Sequence, residues 1–558
     1  MRVSTRKASF AVVTALALGL SACGGDEEGD GAGGGDDELT TGGSFSIYIG
    51  EPENPLVPGQ TNESEGGQVV DSLWTGLIQY NNETNEAEFT GVAESVESED
   101  QTTWTITLNE GWTFHDGTDV TAQSYVDTWN WVAYSPNAND NSYFFANVEG
   151  YDDLQAPTDD AGEPTGEEPA ATEMSGLEVV DERTFTVTLS SPFAQYPVTV
   201  GYTAFFPLPE AFFENPDPAA FGEQPIGNGP FMAEEPFVPG QGITLTRYED
   251  YSGDEPANAD EVEYRVYTEQ TTAYSDVQAG NLDVVDQIPP DAIASAPDEF
   301  GDQYQEAPRG DITSLNMPTY DPRYSDPRVR HAFSMAIDRQ AITDAIFLGS
   351  RQPATSYISP VVDGFREDAC AGYCQLNVEE ANALLDEAGF DRSVPVELWF
   401  NAGAGHDEWV QAVGNQLREN IGVEYVIRGD LQFAEYLPLI DNQGMTGPFR
   451  LGWIMDYPSP QNFLEPLYTE AALPPGGSNS SFYVNEEFDA LIAEGNQAAD
   501  NEEAIELYQQ AEDILVEDMP TIPMFYGRLQ YVHSENVDNV TVNAYGRVDA
   551  AAVTVVNP

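Results

Sequence analysis

Residues 326–339 read Asp-Pro-Arg-Val-Arg-His-Ala-Phe-Ser-Met-Ala-Ile-Asp-Arg and predict two consecutive helices. Asp326 is a typical N-cap residue, and Pro327 stands at the first helical position, where its missing N–H is not needed. Asp338 predicts the start of a second helix, which carries Ile342 and Ile346. One apolar face of the first helix is marked by residues four positions apart: Val329, Phe333 and Ile337.

Further helices and strands lie on either side of this stretch. Asn377 with Glu380 resembles a capping box, and Asp500 begins another capped helix that ends before Pro520. Residues 149–182 hold 12 acids and three prolines and are expected to form an exposed loop. A mixture of strands and helices without strict alternation predicts the α/β class. Period-two alternation predicts strands at 45–49, 103–108, 183–189, 243–248 and 262–267.

The chain begins like an exported lipoprotein. Basic residues precede an apolar run, residues 8–20, that is too short to span a bilayer. The run ends in Leu20-Ser-Ala-Cys23, which resembles the bacterial lipobox. This resemblance implies that residues 1–22 are a signal peptide and that Cys23 is lipidated. Residues 23–43, rich in glycine and acids, are expected to form a flexible acidic tether.

The net charge of −78 excludes one class of function and indicates the protein's environment. A polyanion of this size does not bind nucleic acid, whose phosphates require cations. Its self-repulsion favours a saline habitat, where salt screens the charges, and a moderately acidic extracellular protein is the alternative. In so acidic a chain, Arg328, Arg330 and Arg339 are expected to be solvated or ion-paired.

Few side chains suit metal binding or catalysis. Cys370 and Cys374 are the only cysteines besides Cys23, and in an oxidising compartment they predict a disulfide. A metal site would need two further ligands, and none lies nearby in sequence. The four histidines form no H-E-x-x-H motif, and no G-x-S-x-G is present. We therefore expect no enzyme, catalytic residue, metal or cofactor, although the abundant carboxylates leave a glycosidase pair open.

Four segments, in order, resemble the oligopeptide-binding family of extracellular solute-binding proteins of ABC importers. The resemblance extends over about residues 45–535 and implies an α/β, two-lobed periplasmic-binding-protein-like fold (type 2) with a hinge and an inserted subdomain. The four segments are Trp112-Thr-Phe-His-Asp-Gly-Thr-Asp-Val-Thr-Ala, Ile226-Gly-Asn-Gly-Pro-Phe, the helical stretch 326–339, and Gly452-Trp-Ile-Met-Asp-Tyr-Pro-Ser-Pro-Gln-Asn-Phe-Leu.

The same resemblance suggests how the chain is divided. Lobe I is expected to be discontinuous, because the chain leaves it for the subdomain, returns, and comes back again after lobe II. The expected ranges are 44–86, 196–267 and 523–558 for lobe I, 87–195 for the subdomain and 268–522 for lobe II.

The resemblance places the binding site around residues 450–457. Gly452 and Ile454 would offer backbone groups to an extended ligand, and Trp453 would supply an apolar wall. Asp456 would meet the ligand's α-ammonium, with an ordinary turn residue as the alternative. Two further ligand-binding residues are expected: Arg450, facing the ligand's carboxylate, and Tyr457.

The implied function is capture of short peptides outside the cell and delivery to a membrane permease driven by an ATPase. The protein is expected to be a monomer on the extracellular face of the cytoplasmic membrane of a Gram-positive cell, touching the membrane only through its lipid. The same fold binding a nickel chelate, haem or an oligosaccharide is the main alternative, and a structural surface polyanion is a third.

Overall fold

The computed structural model describes residues 41–82, 84–157, 165–474, 477–556 and 558. The predicted signal peptide, Cys23 and residues 23–40 of the predicted tether lie outside the described residues. The described residues form one unit. No helix in the described part of the chain is long and apolar enough to cross a bilayer.

The strands of the described residues are numbered in chain order. They are β1 (Ser44–Ile49), β2 (Gln79–Tyr80), β3 (Ala87–Glu88), β4 (Ala93–Glu97), β5 (Thr103–Leu108), β6 (Leu177–Val179), β7 (Thr184–Thr188), β8 (Phe231–Met232), β9 (Gly242–Arg247), β10 (Glu261–Val266), β11 (Val284–Val285), β12 (Tyr304–Pro308), β13 (Asp311–Asn316), β14 (Arg351–Pro353), β15 (Val396–Trp399), β16 (Tyr425–Arg428), β17 (Phe449–Ile454), β18 (Thr521–His533), β19 (Val537–Asp538) and β20 (Thr554–Val555).

The α-helices are numbered in the same way. They are α1 (Ser64–Leu73), α2 (Ala122–Ala133), α3 (Tyr196–Thr199), α4 (Glu210–Glu214), α5 (Pro218–Glu223), α6 (Gln270–Gln278), α7 (Ala296–Phe300), α8 (Pro327–Met335), α9 (Arg339–Ile342), α10 (Val378–Ala388), α11 (Asp407–Ile421), α12 (Phe433–Asp441), α13 (Pro460–Tyr468), α14 (Glu486–Asn496) and α15 (Asn501–Asp518).

Two antiparallel stretches of the chain, residues 304–316 and 521–533, run through both halves of the main sheet. Its twelve strands follow the order β16-β15-β17-β13-β18-β11-β1-β10-β9-β8, with β12 and β14 also paired to β18. The 13-residue β18 pairs first with β13 and β14, then with β12 and β11. Only Arg309 and Gly310 separate β12 from β13, so residues 304–316 and 521–533 connect the two halves. The boundaries of the predicted lobes stay a prediction.

Separate hydrophobic cores support the two halves of the main sheet and a smaller sheet. One packs α1 on β1 and β10, and another packs α8, α10 and α11 against β13 and β15. A third surrounds the four-stranded sheet β4-β5-β7-β6 and α2, where Trp129 and Phe185 are fully buried. This smaller sheet lies within the range predicted for the inserted subdomain.

The predicted strands and helix starts are confirmed, with two local corrections. Side chains of Asp326, Asp338, Asn377 and Asp500 all accept the expected N-cap hydrogen bonds. The second predicted helix is shorter than expected, because α9 ends at Ile342 and a π-helical turn follows. The predicted loop 149–182 also contains β6, a three-residue edge strand too short to show a periodic pattern.

Two of the three arginines expected to be solvated or ion-paired are buried instead. Arg330 and Arg339 are each 3% exposed and donate to backbone carbonyls. Arg330 Nε, for example, lies 2.8 Å from the carbonyl oxygen of Asp518, at the end of α15. A guanidinium has five donors, so it satisfies several carbonyls that a helix end leaves free. Arg328 does pair with Asp326, at 2.6 Å.

Cys370 and Cys374 are both buried and are joined by a disulfide, with their Cα atoms 5.5 Å apart. The short turn between them packs on α8. There the Ser334 hydroxyl donates to the Tyr373 carbonyl at 2.7 Å, and the His331 ring stacks on Tyr373 with centroids 3.8 Å apart.

Candidate functional site

One edge of β17 lacks a strand partner over most of its length in the described residues. β13 pairs with all six residues of β17, from Phe449 to Ile454. On the other side, β15 reaches β17 only where Trp399 meets Phe449. The Arg450 carbonyl on this edge accepts from the Tyr436 hydroxyl at 3.1 Å, so the edge is open to an extended chain from outside the protein only beyond Arg450.

The register shows which backbone groups this open edge offers. The Met455 N–H donates to the Gly310 carbonyl at 2.8 Å, so Met455 points its backbone groups toward the β13 side. In an antiparallel pair this direction alternates, so Gly452 and Ile454 point their N–H and C=O groups away from β13. Gly452 is exposed, and Ile454 is 49% exposed. Both predicted residues are thus placed for main-chain hydrogen bonding to a ligand.

Asp456 follows β17 and is held by Asn462 from the first turn of α13. The Asn462 amide nitrogen donates to Asp456 Oδ2 at 3.0 Å. The Asn462 side-chain oxygen accepts from the Asp456 N–H at 2.8 Å and from Trp453 Nε1 at 3.2 Å. One side chain therefore fixes both the backbone and the carboxylate of Asp456.

The Asp456 carboxylate has no cationic partner among the described residues, since none of their ion pairs includes it. Burial raises its pKa to about 6, although hydrogen bonds from Asn462 and Tyr143 favour the charged form. At neutral pH the group is mostly ionised, in surroundings that penalise its charge. Such a carboxylate gains from an incoming cation, because pairing offsets the cost of its burial.

Four tyrosines surround Asp456, and together with Asn462 they form what we call the Asp456 pocket. The hydroxyl of Tyr545 donates to the Asp456 carbonyl at 3.1 Å, and Tyr143 hydrogen-bonds its carboxylate. The Tyr545 ring centroid lies 6.2 Å from that of Tyr80 and 6.4 Å from that of Tyr202. These tyrosines were not predicted from the sequence. They come from four distant parts of a chain with 27 tyrosines, and no local pattern distinguishes them.

The two other predicted aromatic residues, Trp453 and Tyr457, pack into hydrophobic cores beside this pocket. The Trp453 ring packs against a core that includes Ile312 and Phe463 and is only partly exposed. Tyr457 is 9% exposed, lies in the core around the four-stranded sheet and α2, and donates its hydroxyl to Gln461 at 2.5 Å. In this structure Tyr457 anchors the segment that follows Asp456.

Arg450 belongs to a second polar group, the Arg450 cluster, formed with Arg351, Asn401 and His406. Its Nη1 lies 3.5 Å from the Asn401 side-chain oxygen, and its Nε is buried without a hydrogen-bond partner. Burial and the nearby charge of Arg351 lower the pKa of Arg450 to about 10, so it stays charged at neutral pH. Among the described residues Arg450 makes no ion pair, whereas Arg351 lies 3.5 Å from Asp311.

His406, which was not predicted from the sequence, adds a second unsatisfied atom. It is 8% exposed, and its Nε2 has no hydrogen-bond partner. Burial and the charges of Arg450 and Arg351 lower its pKa to about 4, so the ring is neutral at pH 7. With two guanidiniums and a neutral imidazole, the Arg450 cluster suits a carboxylate.

The open strand edge of β17 has opposite charges at its two ends, Asp456 and the Arg450 cluster. In a two-lobed architecture, this arrangement defines a class of binding proteins that close over an extended ligand. Comparison with known proteins agrees with this class. The model of the family described as "Bacterial extracellular solute-binding proteins, family 5 Middle" matches residues 90–473. The chain belongs to this family.

Individual relatives extend the match over nearly the whole chain. The oligopeptide-binding protein OppA of Bacillus subtilis (strain 168) is 26% identical over 561 residues, covering 97% of this chain and 98% of that protein. The periplasmic OppA of Salmonella typhimurium is 27% identical over 452 residues, 78% of each chain.

A solved structure of MppA, a periplasmic murein tripeptide-binding protein in its unliganded open form, superimposes with a TM-score of 0.79. It is 22% identical and covers 93% of this chain and 98% of MppA. The predicted two-lobed α/β fold is confirmed.

The raised pKa of Asp456 predicts a stability change when its charge is removed. A carboxyl whose pKa is higher in the folded than in the unfolded state destabilises the fold once the pH exceeds its unfolded value. We expect ligand-free Asp456→Asn protein to have a higher Tm than wild type at pH 7.5. The difference should shrink as the pH falls from about 6 to about 4, where both forms are neutral.

Differential scanning calorimetry after removal of bound ligand measures this effect. Asp298→Asn, at an exposed carboxylate on the surface, is the matched control and should change the Tm little. A lower Tm for Asp456→Asn at pH 7.5 would contradict the assignment of an unpaired buried charge.

Proposed function

We propose that this protein is the substrate-binding component of an ABC importer and that it captures short peptides outside the cell. The observation that carries the proposal is Asp456, a half-buried carboxylate without a cationic partner among the described residues, at the end of an open strand edge. A peptide supplies what each part lacks: an α-ammonium for Asp456 and a main chain for Gly452 and Ile454.

Main-chain recognition explains how one cleft accepts many peptides. Every peptide carries the same N–H and C=O groups, whatever its side chains, and the open edge of β17 reads only these. From residue 450 to residue 456 the protein backbone spans at most about 20 Å, the length of about six extended residues. The site therefore suits short peptides rather than unfolded proteins.

The Arg450 cluster is the proposed partner of the peptide carboxylate. Arg450 has no ion pair among the described residues, and its Nε and the Nε2 of His406 are both unsatisfied. A carboxylate accepts hydrogen bonds from both groups and relieves the mutual repulsion of Arg450 and Arg351. His406 would bind it as a neutral donor.

The names of two relatives support the same ligand class. Both OppA proteins are named oligopeptide-binding proteins. In this role the protein delivers its ligand to a membrane permease driven by an ATPase, and we propose that it acts as a monomer. A nickel chelate, haem or an oligosaccharide would not need a buried anion placed for an ammonium group.

We further propose that Cys23 carries lipid and that residues 23–43 tether the protein to the outer face of a Gram-positive cell membrane. The tether's composition supports this, since a Gly-rich segment of that length has an r.m.s. reach of roughly 25 Å. The excess of 97 acidic over 19 basic residues supports a saline habitat.

Replacing the carboxylate tests the ligand assignment directly. We expect Asp456→Ala to weaken binding of a peptide with a free amino terminus at least about 30-fold, because the ammonium is then buried without a counter-charge. The N-acetylated form of the same peptide should bind wild type and Asp456→Ala equally. Isothermal titration calorimetry measures both affinities.

Asp298→Ala, which removes an exposed carboxylate, is the control and should leave both affinities unchanged. If the free and acetylated peptides bind wild type alike, Asp456 does not read the ammonium. If neither binds and oligosaccharides do, the peptide assignment itself is wrong.

The carboxylate end has a corresponding test. We expect Arg450→Met to lower affinity for a free-acid peptide about tenfold or more and to leave its C-terminally amidated form unaffected, because a charge-assisted hydrogen bond is lost only with the acid. Exposed Arg418→Met removes the same charge elsewhere and serves as the control. An equal loss for acid and amide would instead indicate a general effect on the cleft.

A further inference from the structure

The segment from Val542 to Val548 is a tight hairpin that enters the binding region from the C-terminal end of the chain. Val542 and Val548 form an antiparallel bridge. Between them, the Asn543 side chain accepts from the N–H groups of Tyr545 and Arg547, both at 3.1 Å. Gly546, with φ of +90°, allows the tight reversal. We call this segment the C-terminal hairpin.

This hairpin contacts both halves of the molecule and the connection between them. Its Tyr545 hydroxyl donates to the Asp456 carbonyl, next to β17. Its Ala544 carbonyl accepts from the N–H of Gly310, between β12 and β13, at 2.9 Å. Its Val548 exchanges two hydrogen bonds with the Gln68 side chain on α1, at 2.6 and 2.9 Å.

A buried ion pair anchors the hairpin to α1. Arg547 Nη1 lies 3.1 Å from both carboxylate oxygens of Asp71, and the Arg547 side chain is 9% exposed. The Arg547 guanidinium also lies 5.8 Å from the centroid of the Tyr545 ring. A Cβ at Gly67 would lie 2.3 Å from Arg547 Nη2, so only glycine leaves room for the guanidinium there.

We propose that the C-terminal hairpin is a positioning element for ligand recognition: Tyr545 fixes the backbone of Asp456, and the Arg547–Asp71 pair holds Tyr545 in place. The proposal rests on the assignment of Asp456 to the ligand's ammonium. Tyr545 does not pair with the ligand's charge itself. It restricts the main chain that carries the charge, so its effect depends on the Asp456 carboxylate.

This role of the C-terminal hairpin also explains why the predicted lobe I contributes to a pocket built on the predicted lobe II. Asp456 belongs to the segment after β17, in one half of the main sheet, whereas α1 packs against β1 in the other half. The hairpin links α1 to the segment after β17, so contacts with both lobes fix the position of the carboxylate. A ligand ammonium then meets a carboxylate that is already placed, which lowers the ordering cost of binding.

The test is a double-mutant cycle between Tyr545→Phe and Asp456→Ala, measured by calorimetry with one peptide in free-amino and N-acetylated forms. Tyr545→Phe should weaken binding of the free-amino peptide about three- to tenfold, the range for one lost hydrogen bond. It should leave the acetylated peptide unchanged and add nothing in the Asp456→Ala background.

Gly67→Ala is a second variant that touches neither Asp456 nor Tyr545. Its methyl group displaces the Arg547 guanidinium, while alanine favours the helix, so the protein should stay folded. We expect it to lower affinity for the free-amino peptide selectively. Equal losses for both peptide forms, or a Tyr545→Phe loss that persists without the Asp456 carboxylate, would overturn the proposal. If Asp456→Ala itself has no effect, the ligand assignment fails instead.

Discussion

The proposed site depends on one electrostatic constraint, a half-buried carboxylate without a cationic partner among the described residues. Asn462 and the surrounding tyrosines keep Asp456 in place, yet none of them carries a positive charge. In a chain with 97 acids and 19 basic residues, cations are scarce, and Arg547 near the Asp456 pocket is already paired with Asp71. The charge of Asp456 therefore destabilises the ligand-free protein, and only a ligand removes this cost.

The fold places this carboxylate where a peptide's main chain can also be read. β17 is paired on its β13 side and open on the other, so its outward N–H and C=O groups lead directly to Asp456. β18 and the β12–β13 stretch connect both halves of the sheet, so the open edge of β17 belongs to the same sheet as this connection.

Much of the fold could be predicted from the sequence, because its signals are local. Alternation located β1, β5, β7, β9 and β10, and the N-cap aspartates located α8 and α15. The four tyrosines of the Asp456 pocket, His406 and the C-terminal hairpin could not be predicted in this way, since only the tertiary fold brings them to the site. The burial of Arg330 and Arg339 was also missed, because their partners are backbone carbonyls, which composition does not reveal.

Proton release on peptide binding tests the central claim most directly. The Asp456 carboxyl, with its pKa near 6 in the free protein, should lose its proton when an ammonium group pairs with it. Titration calorimetry at pH 6 in buffers of different ionisation enthalpy should show about half a proton released per peptide in wild type, and none in Asp456→Asn. Wild-type binding without proton release would contradict the account.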